Sequence, residues 1–271
     1  MPELPEVETI RRYLWAELLG DTCTNVVIRR PDLRWPIDVS AVRRCIGRTV
    51  RDIRRRGKYL MVAYDRGHLI VHLGMSGRLG VVRRQDPPGP HDHVEWWFRS
   101  GKVLRLRDPR RFGSVFWTEN DPCTHPRLAE LGPEPFDRRL TGRRLYARSR
   151  GRKTSVKAFL MDARVIAGLG NIYTTEALFR AGIRPDRPVG DISQREWSRI
   201  LRAIRSVLRA AIRAGGTSLR DYTRADGTPG MFQMRLSVYR RAGLPCIRCG
   251  TPVQMTRIAG RSTYFCPRCQ R

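Results

Sequence analysis

The sequence predicts an α+β protein of two domains, the first rich in strands and the second helical, closed by a small metal-bound hairpin at the C-terminus. Three observations lead there. Strand-like apolar patterning fills residues 49 to 106, helical periodicity fills 155 to 213, and four of the seven cysteines crowd between 246 and 269. A chain of 271 residues is long enough to build two modest cores without disulfide support.

The elements follow in order. Val7, Ile10, Leu14 and Leu18 fall on one helical face, with Glu3, Glu6 and Glu8 at the positive end of the dipole, so a first helix is expected over 7–19. Strands are expected over 49–64 and 68–82, and 94–98 should form a hairpin with 103–106 through Ser100-Gly101. These make a β-rich domain over 1–135. The charged stretch 136–152 follows Pro133 and Pro135 and shows no clean period, which reads as an interdomain linker.

Beyond it, helices are expected over 155–162 and from near Thr174 to Gly182, with the turn Gly168-Leu169-Gly170-Asn171 between them. Helix, tight turn, helix suits contact with DNA. Ser193 and Glu196 have capping-box spacing, and Trp197, Ile200, Ile204, Val207 and Ala211 then share one helical face until Gly215-Gly216. The helical domain is expected over 153–234, including a long Gly- and Pro-containing loop over 215–233, and the metal hairpin over 235–271.

Fifty-three Lys and Arg oppose 25 Asp and Glu, a formal charge of +28 that repels itself in a compact state unless a polyanion is the partner. Arginine dominates the excess, and its fork suits bidentate phosphate contact, although a GC-rich genome enriches arginine as well. No apolar run approaches the ~20 residues of a membrane-spanning helix. The opening Met1-Pro2-Glu3-Leu4-Pro5-Glu6 lacks the basic and apolar regions of a secretory signal, so a cytoplasmic, nucleoid-associated protein is expected.

Cys246-x2-Cys249-x16-Cys266-x2-Cys269 has the two-pair spacing that lets four thiolates meet around one tetrahedral Zn²⁺. An iron centre and a redox pair are the alternatives; Gly250, Pro252 and Pro267 at the knuckles favour structural zinc. With four protein ligands such an ion has no open position for catalysis, and it supplies stability that a hairpin this short lacks.

Removal of Met1 would leave Pro2 with a secondary amine beside the Glu3 carboxylate. An α-amino group has an ordinary pKa of about 7.7–8.0, so a useful neutral fraction exists near pH 7, and its attack on a sugar C1′ would give an iminium. The plainer reading is that Pro2 and Pro5 set backbone angles ahead of the helix while Glu3 and Glu6 serve its dipole. Composition alone favours that plainer reading.

Longer motifs overturn it. Pro2-Glu3-Leu4-Pro5-Glu6-Val7-Glu8-Thr9, Arg56-Gly57-Lys58-Tyr59-Leu60, His72-Leu73-Gly74-Met75-Ser76-Gly77, Asp108-Pro109-Arg110-Arg111-Phe112-Gly113, Gly168-Leu169-Gly170-Asn171-Ile172-Tyr173 and the four cysteines occur in this order. Together they resemble the formamidopyrimidine-DNA glycosylase family, also called MutM, along the whole chain.

The resemblance implies an N-terminal β-sandwich with flanking helices, a helix-two-turns-helix domain and a zinc finger, with DNA held between the halves. It implies a monomeric, bifunctional DNA glycosylase/AP lyase that excises 8-oxoguanine and formamidopyrimidines from duplex DNA, then cleaves the abasic site by β,δ-elimination. Pro2 would be the Schiff-base nucleophile, Glu3 would handle protons at the sugar, and Lys58 would assist while touching phosphate. His72, Asn171 and Arg261 would join Lys58 as a phosphate clamp. Because a stacked base hides C1′, the nucleotide must be extruded, and Met75, Arg110 and Phe112 would fill the gap. The 215–233 loop would order over the everted base.

One departure concerns Val238-Tyr239-Arg240-Arg241, where the family usually has Gly after Tyr. An endonuclease VIII-type enzyme for oxidised pyrimidines shares fold and nucleophile, but Leu4 and Val7-Glu8-Thr9 favour the purine branch. A non-catalytic DNA-binding protein on the same scaffold would have lost Pro2, Glu3 or Lys58, and all three are present.

Overall fold

A capping box starts the first helix in the computed structural model, which describes residues 2–217 and 236–271. Met1 and residues 218–233 of the expected lesion-recognition loop lie outside the described residues. Two structural units are present: 2–130 with 214–217, and 131–213 with 236–271, among the described residues.

In the first unit, α1 (Leu4–Leu18) buries Val7, Ile10, Leu14 and Leu18, the face that periodicity selects. It starts three residues earlier than periodicity indicates, because Pro5 fits the first turn and Glu3 and Glu6 satisfy its amide ends. The strands are β1 (Cys23–Ile28), β2 (Val50–Arg56), β3 (Tyr59–Tyr64), β4 (His68–His72), β5 (Arg78–Arg83), β6 (Asp92–Phe98), β7 (Lys102–Arg107) and β8 (Ser114–Thr118), with α2 (Val39–Arg43) after β1 and α3 (Pro126–Ala129) after β8. They form two antiparallel sheets, β1-β6-β7-β5 and β2-β3-β4-β8. Val26, Leu79, Trp96, Leu104 and Leu106 of one sheet share a core with Ile53, Leu60, Val62, Leu69, Val71 and Val115 of the other, the sandwich expected from the resemblance.

Two long strands expected from the sequence are each broken. The 49–64 run divides at Gly57-Lys58, a two-residue turn in which Gly57 has φ +57°, the conformation a tight hairpin requires there. The 68–82 run divides at Gly74, also left-handed, and β5 crosses to the other sheet. Residues 60–62 of β3 and 69–71 of β4 are buried on both faces, so alternation gives no boundary beside either turn. The hairpin of 94–98 with 103–106 is present as β6 and β7.

The second unit contains α4 (Gly142–Ser149), α5 (Val156–Met161), α6 (Asn171–Ala181), α7 (Gln194–Arg213), β9 (Gln254–Ile258) and β10 (Arg261–Phe265). Helix α4 lies inside the stretch that reads as a linker. Leu145 is fully buried, Ser149 Oγ accepts from the Trp197 indole at 3.0 Å, and Arg205 of α7 donates to the carbonyls of Pro135, Asp137 and Leu140. Arg143, Arg144 and Arg148 hide so short an apolar face from periodicity.

Helix α6 begins at Asn171, earlier than Thr174, because Gly170 supplies its extended N-cap, and it ends on left-handed Gly182. The Ser193–Glu196 capping box forms on α7, whose Trp197, Ile200, Ile204, Val207 and Ala211 are all buried. Phe179 of α6 joins Val238, Cys246, Val253 and Cys266 in a small core that seats the hairpin on the helix.

Arg240, the departure from the family pattern, has φ +59° and is exposed. A side chain there costs energy that glycine avoids, which accounts for the usual glycine. Arg240→Gly is expected to stabilise the second unit by about 0.5–1 kcal/mol after glycine's own entropy cost. Urea unfolding should show a raised midpoint at unchanged slope; an unchanged midpoint would mean that Arg240 makes a compensating contact.

Candidate functional site

The sheet β2-β3-β4-β8 gathers cationic and aromatic groups at one end. Tyr59 opens β3 and pairs with His72, the last residue of β4, which pairs with Ser114, the first of β8. Lys58 sits just before Tyr59 at the tip of the β2–β3 turn, half-buried, and not within the strand. Register therefore brings Lys58 beside His72. The His72 ring lies 4.7 Å from that of Tyr59, and its Nδ1 accepts from the Gly74 amide at 3.1 Å. That bond fixes the neutral tautomer with the proton on Nε2, which is then a donor. Burial, with Lys58 and Arg34 nearby, pushes the His72 pKa down to about 4.

Two loops at this end are fastened to each other. Asp108 is fully buried; its carboxylate accepts from Ser76 Oγ at 2.8 Å and from the Gly113 amide at 2.6 Å, and its carbonyl lies 2.9 Å from His93 Nε2. The Arg110 amide in turn donates to Ser76 Oγ at 3.3 Å. Gly74 packs so tightly on the Phe112 carbonyl that a Cβ would come within 2.2 Å of it. Met75 from one loop and Arg110 and Phe112 from the other are thus held on adjoining turns. Phe112 is 39% exposed with the Arg110 guanidinium 4.9 Å from its ring centroid, an unusual exposure for a phenylalanine.

Pro2 and Glu3 are buried at the head of α1. Glu6, also buried, has one carboxylate oxygen on the Glu3 amide and the other on the Thr217 amide, each at 2.8 Å. Left-handed Gly216 allows this approach, since a Cβ there would stand 3.0 Å from the same carboxylate. Glu6 was legible only as a helix-capping acid; its second bond spans most of the sequence.

In the second unit Asn171 and Arg261 are neighbours. Arg261 opens β10 after the turn Ala259-Gly260, whose two positive φ angles define a tight hairpin, and its side chain is exposed. Asn171 Nδ2 donates to the Ser262 carbonyl at 3.0 Å, leaving a second amide hydrogen for another acceptor. Lys157, fully buried, donates to Thr263 Oγ1 at 2.5 Å and to Ser262 O at 3.4 Å. Sequence reasoning missed Lys157, and nothing in its local pattern separates it from a surface lysine. It also missed Glu176, 4% exposed on α6, whose carboxylate accepts from the amides of Ser237, Val238 and Tyr239.

The sulfur atoms of Cys246, Cys249, Cys266 and Cys269 all lie within 4.8 Å of one another, with the 249–266 pair at 3.5 Å and the 246–269 pair at 3.9 Å. Four thiolates ~2.3 Å from one tetrahedral Zn²⁺ stand about 3.8 Å apart, so the donor set fits zinc. The Arg248 amide approaches Cys246 Sγ at 3.4 Å, and Gln270 accepts from the Cys266 amide while donating to Ile183 O. The metal knuckle is thereby tied to the end of α6.

Known proteins share this arrangement. Residues 1–115 match the formamidopyrimidine-DNA glycosylase N-terminal domain, 131–223 its H2TH domain, and 243–271 the zinc finger found in FPG and IleRS. The chain is 52% identical to the formamidopyrimidine-DNA glycosylase of Syntrophotalea carbinolica over 271 residues, all of each chain. It is similar to the crystal structure of the MutM (FPG) protein of Thermus thermophilus, with 41% identity and a TM-score of 0.89 over 99% of this chain and 98% of that one. It is also similar to Lactococcus lactis Fpg solved in complex with abasic-site DNA, at 32% identity and a TM-score of 0.92 over the whole of both chains. The hairpin accordingly is a zinc finger holding one structural zinc ion.

Cys249→Ser is expected to lose zinc, the fold of the 243–271 hairpin and DNA affinity together, read by metal analysis and a binding titration; full affinity in a zinc-free variant would remove the finger from the interface. His72 gives a pH prediction. Its folded pKa lies below the ordinary 6.5, so the unfolded chain binds the proton more tightly; the stability this contributes is present above pH 6.5 and lost as pH falls toward 4. The wild-type advantage in unfolding free energy over His72→Asn should shrink by at most about 3 kcal/mol from pH 7 to pH 4. A difference that stays flat over that range would contradict the depressed pKa.

Proposed function

The chain belongs to the formamidopyrimidine-DNA glycosylase family, and on that premise we propose that Pro2, Glu3 and Lys58 carry the excision of oxidised purines from duplex DNA. The protein is a DNA glycosylase for oxidised purines, with the AP lyase activity characteristic of its family, and its partner is DNA carrying oxidised or abasic lesions. The observation that carries the residue assignment is the anchored N-terminus: Pro2 and Glu3 are fixed at the head of α1 by Glu6, beside the backbone of Thr217.

With Met1 removed, the Pro2 nitrogen is a neutral secondary amine in a useful fraction of molecules near pH 7. It attacks C1′ of the extruded nucleotide, the C1′–base bond breaks with its electrons leaving on the base, and Glu3 exchanges protons with the sugar as its ring opens to the iminium. The cationic iminium then acidifies C2′, so loss of that proton expels the 3′ phosphate, and a second elimination expels the 5′ phosphate. Lys58 faces phosphate beside the reacting sugar.

His72 donates from Nε2 to phosphate as a neutral ring, and Asn171 and Arg261 contact the backbone from the second unit. Met75, Arg110 and Phe112 fill the vacated stack, offsetting a few kcal/mol of lost stacking. Met and Phe wedge against bases, while Arg110 pairs with the orphaned base. The working division is a catalytic domain over 1–135, a connection over 136–152, a helical domain over 153–234 and the finger over 235–271, with 215–233 as the lesion-recognition loop. Relatives are bacterial, and among the described residues no helix is long and apolar enough to cross a membrane; a cytoplasmic, nucleoid-associated monomer fits this role.

Borohydride trapping on a duplex with 8-oxoguanine opposite cytosine tests the nucleophile. The native N-terminus should give a covalent adduct, and both Pro2→Gly and a form retaining Met1 should lose most of it. An adduct at full yield with Met1 retained would place the nucleophile elsewhere, and strand cleavage without any adduct would require a different mechanism.

A further inference from the structure

Arg34 and Arg127 share one aromatic ring. The Arg127 guanidinium lies 3.7 Å from the Trp35 ring centroid and that of Arg34 lies 4.6 Å from it. Trp35 is half-buried and packs toward Phe116 of β8, 6.2 Å between centroids, while both arginines are exposed. Most arginines of this unit that have a carboxylate in reach use it: Arg29 and Arg105 pair with Glu95, Arg55 with Glu8, Arg111 with Asp32, and Arg44, Arg48 and Arg66 with Glu119. Among the described residues no carboxylate lies within ion-pair distance of Arg34 or Arg127. Two like charges are therefore held against one indole without an internal counter-ion, an arrangement that an external anion relieves.

The position of this pair identifies the anion. The Arg34 amide donates to the Gly113 carbonyl at 3.2 Å, so its loop is fastened to the turn that carries Arg110 and Phe112. The neighbouring Asp32 pairs with Arg111 of that same turn, where Arg111 has φ +54°. Both guanidinium charges act on Tyr59, which adjoins Lys58 in sequence and His72 in the sheet. We propose that Arg34 and Arg127, braced on Trp35, form a further phosphate-binding site that extends the DNA backbone track beyond Lys58 and His72. This inference rests on the DNA-repair reading above and adds two residues and a location to it. A guanidinium already stacked on an indole loses little freedom when it meets phosphate, and its planar fork matches two phosphate oxygens.

The test is the salt dependence of binding to a duplex with 8-oxoguanine opposite cytosine. Each neutralised phosphate contributes about 0.9 to the slope of log K against log salt. Arg34→Ala/Arg127→Ala should lower that slope by about 1–2 and weaken binding at ~0.1 M salt by tenfold or more. Its single-turnover excision rate at saturating protein should be unchanged. Arg66→Ala removes an exposed arginine from the β3–β4 turn, at the other end of the same sheet, and should leave the slope as it is. Arg34→Lys/Arg127→Lys should recover most of the slope. The proposal is overturned by a wild-type slope in the alanine double variant, by an equal loss in Arg66→Ala, or by a lysine double variant as weak as the alanine one, which would mark a structural role for the Trp35 loop. Wild-type protein that failed to bind or cut the lesion duplex at any salt would instead overturn the repair reading itself.

Discussion

The buried carboxylate of Asp108 holds together the end of the first unit that presents Met75, Arg110 and Phe112. One oxygen is taken by Ser76 and the other by the Gly113 amide, so two loops that leave different strands behave as one surface. Hydrogen bonds to a charged group are each worth roughly 1.5–3 kcal/mol, and inside a low-dielectric site the unpaired alternative is costlier still. Gly74 completes the joint, because only a residue without Cβ lets the two backbones approach so closely. Met75, Arg110 and Phe112 owe their placement to this joint more than to their own contacts.

The same device recurs with other acids. Glu6 joins the backbone at Glu3 to that at Thr217, and Glu176 collects three successive amides at 237–239 where the chain enters the zinc finger. A chain with a formal charge of +28 has few carboxylates to spare, and three of the buried ones, Glu6, Asp108 and Glu176, are used as fasteners for segments that regular hydrogen-bond ladders do not hold. Many of the remaining acids neutralise arginines at the surface. The cations left without internal partners at Trp35, together with the exposed Arg110 and Arg261, then define where a polyanion is favoured.

Hairpin turns present two of the proposed phosphate ligands. Lys58 stands at the tip of the β2–β3 turn and Arg261 directly follows the β9–β10 turn, each backed by a paired ladder that fixes the backbone beneath it. Lys157 and Asn171 reinforce the second of these by holding Ser262 and Thr263. Rigid support of this kind limits the entropy lost when a long cation closes on phosphate.

Much of this was legible in the amino-acid order. The faces of α1 and α7, the capping box at Ser193, the β6–β7 hairpin and the four zinc ligands follow from local spacing, because helix periodicity, capping and knuckle turns are short-range effects. Motif order was enough to name the family. The turns at 57–58 and 74, and α4 within an arginine-rich stretch, were hidden because the neighbouring residues 60–62 and 69–71 are buried on both faces and show no alternation, and because charge masks a short apolar stripe. The partners of Asp108, Glu6, Glu176 and Lys157, and the sharing of Trp35 by Arg34 and Arg127, required the tertiary structure. Each joins residues distant in sequence, and which backbone amide or ring a charged side chain meets is settled only once the sheets and helices are packed.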